Sequence, residues 1–262
     1  MGRRFGQHFL ARKSILDRIA AAVCAEHAPC VIEIGPGRGA LTESLLERAA
    51  KVIAIEIDPV LVHYLQQKFH EQIEAGRLEL LAADVLKTDL AALAATSKAA
   101  PARAVLAGNL PYYITSPILD RVFALGEGWQ RAVFLVQAEV AARLAAAPGS
   151  RDYGYLSVLT QVHARPQILC EVPRAAFRPP PKVDSAVVLL EPGGVEPGWG
   201  IADRDAFLRF ASDCFRHKRK TLRNNLSSRY GREKMDAAGL GKLRAEQMSI
   251  AELAELYRRL SE

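Results

Sequence analysis

Val31-Ile32-Glu33-Ile34-Gly35-Pro36-Gly37-Arg38-Gly39 runs from a short apolar strand into a glycine-rich turn, and a helix through about Ala49 follows. Glycines at such a junction let the backbone approach a ligand and leave the first N–H groups of the helix free. Outward from this stretch, short apolar runs alternate with helical periods. Lys51 to Glu56 reads as a strand, and Asp58-Pro59 opens a helix by cap and first-turn chemistry. Further strands are expected at Leu78 to Ala82, Arg103 to Ala107 and Ala132 to Val136. Ser116-Pro117 starts one helix and another runs from about Ala138 to Ala146. Upstream, Ser14 is placed to cap a helix through about Glu26. This alternation predicts an α/β fold, Rossmann-like, with a mostly parallel sheet covered on both faces.

Past Arg151-Asp152-Tyr153-Gly154, a helix to about His163 precedes two β-rich runs, Gln167 to Val172 and Ser185 to Leu190. Phe177-Arg178-Pro179-Pro180-Pro181-Lys182-Val183 joins them as a stiff, extended loop. With no long helix between these runs, the last strand is expected to be antiparallel. Glu191-Pro192-Gly193-Gly194 marks the domain boundary: 1–192 with an N-terminal arm, 193–202 as linker, and 203–262 as a small helical domain. Its helices are expected at Asp203 to Cys214, Lys218 to Ser228 and Ile250 to Leu260.

The 262 residues carry a net charge of +6. Arg209 to Lys234 alone holds nine Lys and Arg against two acids, Asp213 and Glu233. The basic excess therefore belongs to one segment, which points to a polyanion partner. Cys24, Cys30, Cys170 and Cys214 have neither metal-ligand nor redox spacing, so no metal is expected and a reducing, cytoplasmic setting fits. No apolar run approaches the ~18–20 residues needed to span a bilayer, and no membrane association is expected. The chain is expected to act as a monomer.

Gly35, Gly37 and Ala40 also satisfy a dinucleotide fingerprint, with Glu56 about 20 residues on. Acid placement separates the readings. Glu56 at one strand tip suits ribose hydroxyls, and Asp84 at the next suits an adenine amino group. Glu33, Glu56 and Asp84 with only Arg38 nearby are a poor setting for pyrophosphate. A cationic sulfonium fits better, so S-adenosylmethionine is the expected cofactor. Asn109-Leu110-Pro111-Tyr112 ends the fourth strand of the sheet. An amide, carbonyls beside a proline and an aromatic ring can accept hydrogen bonds from an exocyclic amino group while the ring stacks on its base.

Taken in order, these motifs resemble the ribosomal RNA adenine N6-dimethyltransferase family over more than 200 residues. The resemblance rests on Arg4 to Leu10, Glu33 to Gly39, Glu56, Asp84 and Asn109 to Ile114. It extends through Gln137 to Arg143, Tyr153 to Ser157, Phe177 to Val187 and Lys218 to Leu222. It is strongest to the bacterial branch that dimethylates two adjacent adenosines near the 3′ end of 16S rRNA in the immature small subunit. His8 stands where many relatives carry asparagine. The resemblance implies cofactor contacts at Gln7, His8, Leu10, Gly35, Gly37, Glu56, Asp84 and Asn109. It implies a transfer site at Asn109, Leu110, Pro111 and Tyr112, with Phe177 as the opposite wall of the base pocket. A ribosome-assembly factor acting by binding, and a large-subunit rRNA methylase, are the competing readings.

For RNA, Arg216, Lys220 and Arg223 at i, i+4 and i+7 are expected to share one helix face. Lys218 and Arg219 lie within the same basic run, and Arg178 and Lys182 are expected to extend the RNA surface.

Overall fold

A computed structural model describes residues 8–25, 30–95, 103–194, 199–237, 239 and 242–261. The apolar runs become strands whose side chains are buried on both faces. β1 (Phe9–Leu10) and α1 (Lys13–Val23) precede β2 (Cys30–Ile34), α2 (Ala40–Leu46), β3 (Lys51–Glu56), α3 (Pro59–Lys68) and α4 (His70–Glu74). β4 (Leu78–Ala82), α5 (Leu90–Ala95), β5 (Ala104–Asn109), α6 (Thr115–Phe123), β6 (Trp129–Gln137) and α7 (Ala138–Leu144) follow. After α8 (Tyr155–His163) come β7 (Ala164–Val172), β8 (Phe177–Arg178) and β9 (Ser185–Pro192). The chain then turns helical: α9 (Arg204–Phe215), α10 (Leu222–Tyr230), α11 (Arg232–Ala237) and α12 (Ile250–Ser261).

Seven strands form one sheet in the order β4-β3-β2-β5-β6-β9-β7. β2, β3, β4, β5 and β6 pair in parallel, and β9 lies antiparallel to β6. This is the Rossmann-like arrangement, with the expected antiparallel strand. Val31, Ile32, Val52, Ile53 and Leu106 are at most 1% exposed, and burial of each such side chain contributes about 1.5–3 kcal/mol. Asp58 caps α3 by accepting from Val60 N at 2.9 Å, with Pro59 in the first turn. α1 differs from expectation. Arg12, not Ser14, precedes its first turn, no side chain caps it, and Ser14 lies inside the helix.

The chain divides into two compact units, residues 1–141 with 167–192 and residues 142–166 with 193–262. Residues 142–166, expected in the first domain, belong with the second unit. There α8 packs on α9, Tyr153 meets Phe215 edge-on at 5.8 Å, and Gly193 N donates to the His163 carbonyl at 3.2 Å.

Within the second unit, one continuous basic helix does not form across residues 216–221. The Asn225 amide donates to the carbonyls of Cys214 at 2.8 Å and His217 at 3.2 Å, closing the end of α9. Thr221 then caps α10 by accepting from Asn224 N. Arg216, Lys220 and Arg223 consequently do not share a helix face: Arg216 ends one helix, Lys220 lies in the turn, and Arg223 starts the next. Leu208, Ala211, Leu222 and Leu226 are buried, and Phe215 is partly buried. Among the described residues, no helix is long and apolar enough to cross a membrane.

Candidate active site

The chain builds the sheet outward from β2 through β3 to β4, then returns to add β5 on the other side. That reversal leaves a crevice beyond the carboxyl ends of β2 and β5. A Cβ at Gly108 would lie 2.5 Å from the Ile34 carbonyl oxygen, so only glycine lets the two strand tips run this close. Asn109 is thereby set beside the Gly35–Gly39 turn.

A cavity of about 300 Å³ occupies the crevice, lined by both strand tips and by the arm. Glu33 lies fully buried at its wall, where burial pushes the carboxyl up to about 7. The Thr42 hydroxyl, donating to it at 2.7 Å, opposes that rise, and nearby Glu56 adds to it. Glu56 accepts three backbone N–H groups: Gly37 at 3.1 Å, Ile57 at 3.0 Å and Asp58 at 3.0 Å. Burial raises its pKa as well, against those three bonds. Two carboxylate oxygens offer about four lone-pair sites, so this carboxylate is fixed in place and still able to accept. One Asp84 oxygen accepts from Leu86 N at 2.9 Å; among the described residues the other takes no hydrogen bond.

The arm closes one side of the cavity. β1 pairs antiparallel with β8, Phe9 opposite Arg178 and Leu10 opposite Phe177. Ala11 N adds a bond to the Ala176 carbonyl at 2.9 Å. His8 Nδ1 lies 2.9 Å from the Pro179 carbonyl. A carbonyl only accepts, so Nδ1 carries the proton. Phe9 lies across Gly37, where a Cβ would approach its ring to 2.9 Å, and the Arg38 guanidinium sits 5.0 Å from the ring centroid. Gly37 also has φ +59°, a conformation that glycine adopts freely.

Asn109 Nδ2 donates to the His8 carbonyl at 2.9 Å. That bond assigns the amide orientation and leaves Oδ1 without a hydrogen bond among the described residues. The Pro111 carbonyl accepts from Ile114 N at 3.1 Å and from the Thr115 hydroxyl at 3.3 Å, which takes up both lone pairs. The Leu110 carbonyl takes none among the described residues. The Tyr112 hydroxyl and Ser185 Oγ are 2.8 Å apart, and the Tyr112 ring lies within 24° of parallel to His8 with centroids 6.3 Å apart.

His8, Leu10, Gly35, Gly37, Glu56, Asp84, Asn109, Leu110, Pro111 and Tyr112 thus meet at one cavity. Gln7 lies outside the described residues. Phe177 does not reach the cavity: it is fully buried, packed in the hydrophobic core behind β1. Ser185 and Thr42 were not singled out in the sequence. Each touches a site side chain only through the tertiary fold, and neither lies in a motif that would mark it.

Of the expected RNA residues, Arg219 and Lys220 are exposed, as are Arg178 and Lys182. Lys218 donates to the Arg151 carbonyl at 2.8 Å. Arg223 forms a bidentate pair with Asp236, at 2.5 and 2.8 Å, and Arg216 pairs with Asp213.

The whole chain, residues 1–262, matches the family described as ribosomal RNA adenine dimethylase. It is 41% identical over 265 residues to ribosomal RNA small subunit methyltransferase A of Acidobacterium capsulatum, covering 99% of this chain and 91% of that protein. The Pseudomonas fluorescens Pf-5 protein of the same name is 39% identical over 263 residues, covering 99% and 94%. A dimethyladenosine transferase from Plasmodium falciparum shares the fold, with a TM-score of 0.75 at 24% identity, covering 97% of this chain and 96% of that one. The 23S rRNA methyltransferase ErmE superposes with a TM-score of 0.68 at 28% identity, covering 97% and 100%.

Proposed function

The chain belongs to the ribosomal RNA adenine dimethylase family, and from that membership we propose that it methylates N6 of two adjacent adenosines in the 3′-terminal hairpin loop of 16S rRNA. The products are N6-dimethyladenosines, formed during maturation of the small subunit. In this reading the chain acts as a monomer on the immature subunit in the cytoplasm. The observation that carries it is the pair of free acceptors, Asn109 Oδ1 and the Leu110 carbonyl, beside the Tyr112 ring.

The cavity suits S-adenosylmethionine. Glu56 would hold the ribose hydroxyls, the free oxygen of Asp84 the adenine amino group, and the turn at Gly35 and Gly37 the amino-acid portion, with Glu33 supplying negative charge. His8 and Leu10 would cover it from the arm. Bound there, the cofactor supplies an electrophilic methyl group on a cationic sulfonium.

The chain's own contribution is positioning. An adenine N6 lone pair is delocalised into its ring and is a weak nucleophile. Asn109 Oδ1 and the Leu110 carbonyl accept the two N–H groups of N6, which favours a pyramidal nitrogen with its lone pair directed into the cleft. Because the Pro111 carbonyl is already doubly occupied, Leu110 is the partner of Asn109. Tyr112, its hydroxyl held by Ser185, offers a fixed face for a base taken out of its stack. Alignment of this kind supplies a large part of the barrier reduction. No general base is needed, because a methylated N6 cation loses its proton readily to water.

The test is incubation with labelled S-adenosylmethionine and unmethylated small subunits, followed by mapping of the modified adenosines. Two adjacent dimethyladenosines near the 3′ end support the proposal. Label confined to large-subunit RNA, or none, refutes it.

A further inference from the structure

Of the large apolar side chains that line the cavity, Ile57 and Tyr113 alone are exposed among the described residues, at 51% and 65%. Only Tyr113 presents a flat aromatic face. It follows Tyr112 in a 3-10 turn, Tyr112–Ile114, which the Ile114 N–H closes on the Pro111 carbonyl. The Thr115 hydroxyl, at the start of α6, donates to the same carbonyl, so the backbone under the ring is fixed. A 3-10 turn has three residues per revolution, and consecutive side chains leave it about 120° apart. The two tyrosine rings therefore do not clasp one base between them. Tyr112 is half-buried and tied to Ser185. Tyr113 takes no hydrogen bond and no ring contact among the described residues.

A base taken out of its stack leaves the next base with a bare face. That next nucleotide stays joined to the extruded one by a single phosphodiester link, so it lies close to the cavity mouth. There it meets a ring whose Cα is only about 3.8 Å from that of Tyr112. Aromatic side chains stack on bases with little regard to sequence, because every base has a π-face.

We infer that Tyr113 is a substrate-positioning residue that stacks on the nucleotide flanking the adenosine seated at Tyr112. One ring on one side of Tyr112 serves either the 5′ or the 3′ neighbour, not both. The contact restores part of the stacking lost on extrusion and holds the flanking nucleotide in register during transfer. This inference rests on the reading of the cavity as an adenine N6 methylation site, and it adds to that site a place for the second of two adjacent adenosines.

The test uses the full chain, S-adenosylhomocysteine and unmethylated small subunits reconstituted with 16S rRNA in which one adenosine of the pair is replaced by 2-aminopurine. The probe is placed first 5′ and then 3′ of the remaining adenosine. 2-Aminopurine is quenched when stacked and has no amino group at C6 for Asn109 and Leu110 to accept. The adenosine therefore takes the transfer site and the probe is left at the rim. In one placement the Tyr113→Ala complex should be brighter than wild type, and Tyr113→Phe, which keeps the face without the hydroxyl, should match wild type. In the other placement all three should agree. Subunit affinity should fall about tenfold in Tyr113→Ala, the scale of one base–aromatic stack, and return in Tyr113→Phe. Cofactor affinity should be unchanged in both, which also reports an intact fold.

Equal signals for wild type and Tyr113→Ala in both placements overturn the inference. So does a loss of cofactor affinity in Tyr113→Ala with subunit affinity retained, which would put the ring over the cofactor. Methyl transfer by wild type to unmodified subunits is read separately. Transfer without Tyr113-dependent quenching overturns the stacking contact and leaves the enzymatic reading standing; quenching without transfer does the reverse.

Discussion

The Asn109 side-chain amide donates to the main-chain carbonyl of His8 across 2.9 Å, joining the tip of β5 to the arm that closes the cavity. One residue therefore serves two sites. Its nitrogen holds the arm in place, and its oxygen is left for an incoming amino group. Loss of the side chain is expected to disturb cofactor retention and transfer together.

The same closure depends on Gly37, where φ is +59° and Phe9 occupies the space of a side chain. Gly37→Ala adds a left-handed strain of about 1–2 kcal/mol and pushes the Phe9 ring away. Cofactor affinity, measured by calorimetry, should fall about tenfold. Adding Phe9→Ala should relieve the steric part alone, so the double variant should lose less than the two single losses summed.

Tyr112 is held by Ser185 through a contact of 2.8 Å, and Ser185 is fully buried. Tyr112→Phe keeps the stacking face but strands the serine hydroxyl, which costs about 1–3 kcal/mol of stability. Tyr112→Phe/Ser185→Ala should recover most of that in a denaturant titration. Methyl transfer should survive in both and fall about a hundredfold in Tyr112→Ala, where no face remains for the base.

Glu33 predicts a pH dependence. Burial raises its carboxyl from 4.5 to about 7. Between those values the folded chain holds a proton that the unfolded chain has released, so Glu33 favours the folded state at low pH. This contribution is present below about 4.5 and is lost as pH rises through about 7. Glu33→Gln should flatten that part of the stability profile of the unliganded protein. A cationic cofactor favours the ionised carboxylate, so its affinity should increase as pH rises through about 7, with release of a proton. Calorimetry in buffers of different ionisation enthalpy measures that proton directly.

The basic turn and α10 should differ in their effect on RNA. Arg219 and Lys220 are exposed, whereas Arg223 is held by Asp236, which lowers its availability to phosphate. Arg219→Ala/Lys220→Ala should reduce the salt slope of RNA binding by up to about 2. Arg223→Ala should change it little.

What could be read in the sequence follows from where the information lies. β3 and β4 were expected at Lys51 to Glu56 and Leu78 to Ala82, the bounds observed, because local apolar runs end in charged or small residues. The crevice acids were visible because Glu33 and Glu56 lie at the ends of such runs and Asp84 just beyond one. The arm's partner was not, since β1 pairs with a strand some 168 residues away and no local period announces it. Phe177 was assigned to the base pocket by resemblance, while the ladder with Leu10 turns it into the core. The basic segment misled as a helix face because spacing alone does not show the Asn225 side chain ending α9. Thr221, a residue type that caps helices, is the local signal that marks the break. Residues 142–166 carried a helix signal but nothing that said which unit it would join.

The most direct test of the account is a single-turnover comparison of wild type and Asn109→Ala on unmethylated small subunits, with cofactor at saturating concentration. Saturation removes the effect of a loosened arm and isolates the role of Oδ1. Transfer to N6 by Asn109→Ala is expected to be slower by about a hundredfold or more, the scale seen when one positioned polar contact to a reacting group is removed. An Asn109→Ala protein that dimethylates both adenosines at the wild-type rate would contradict it.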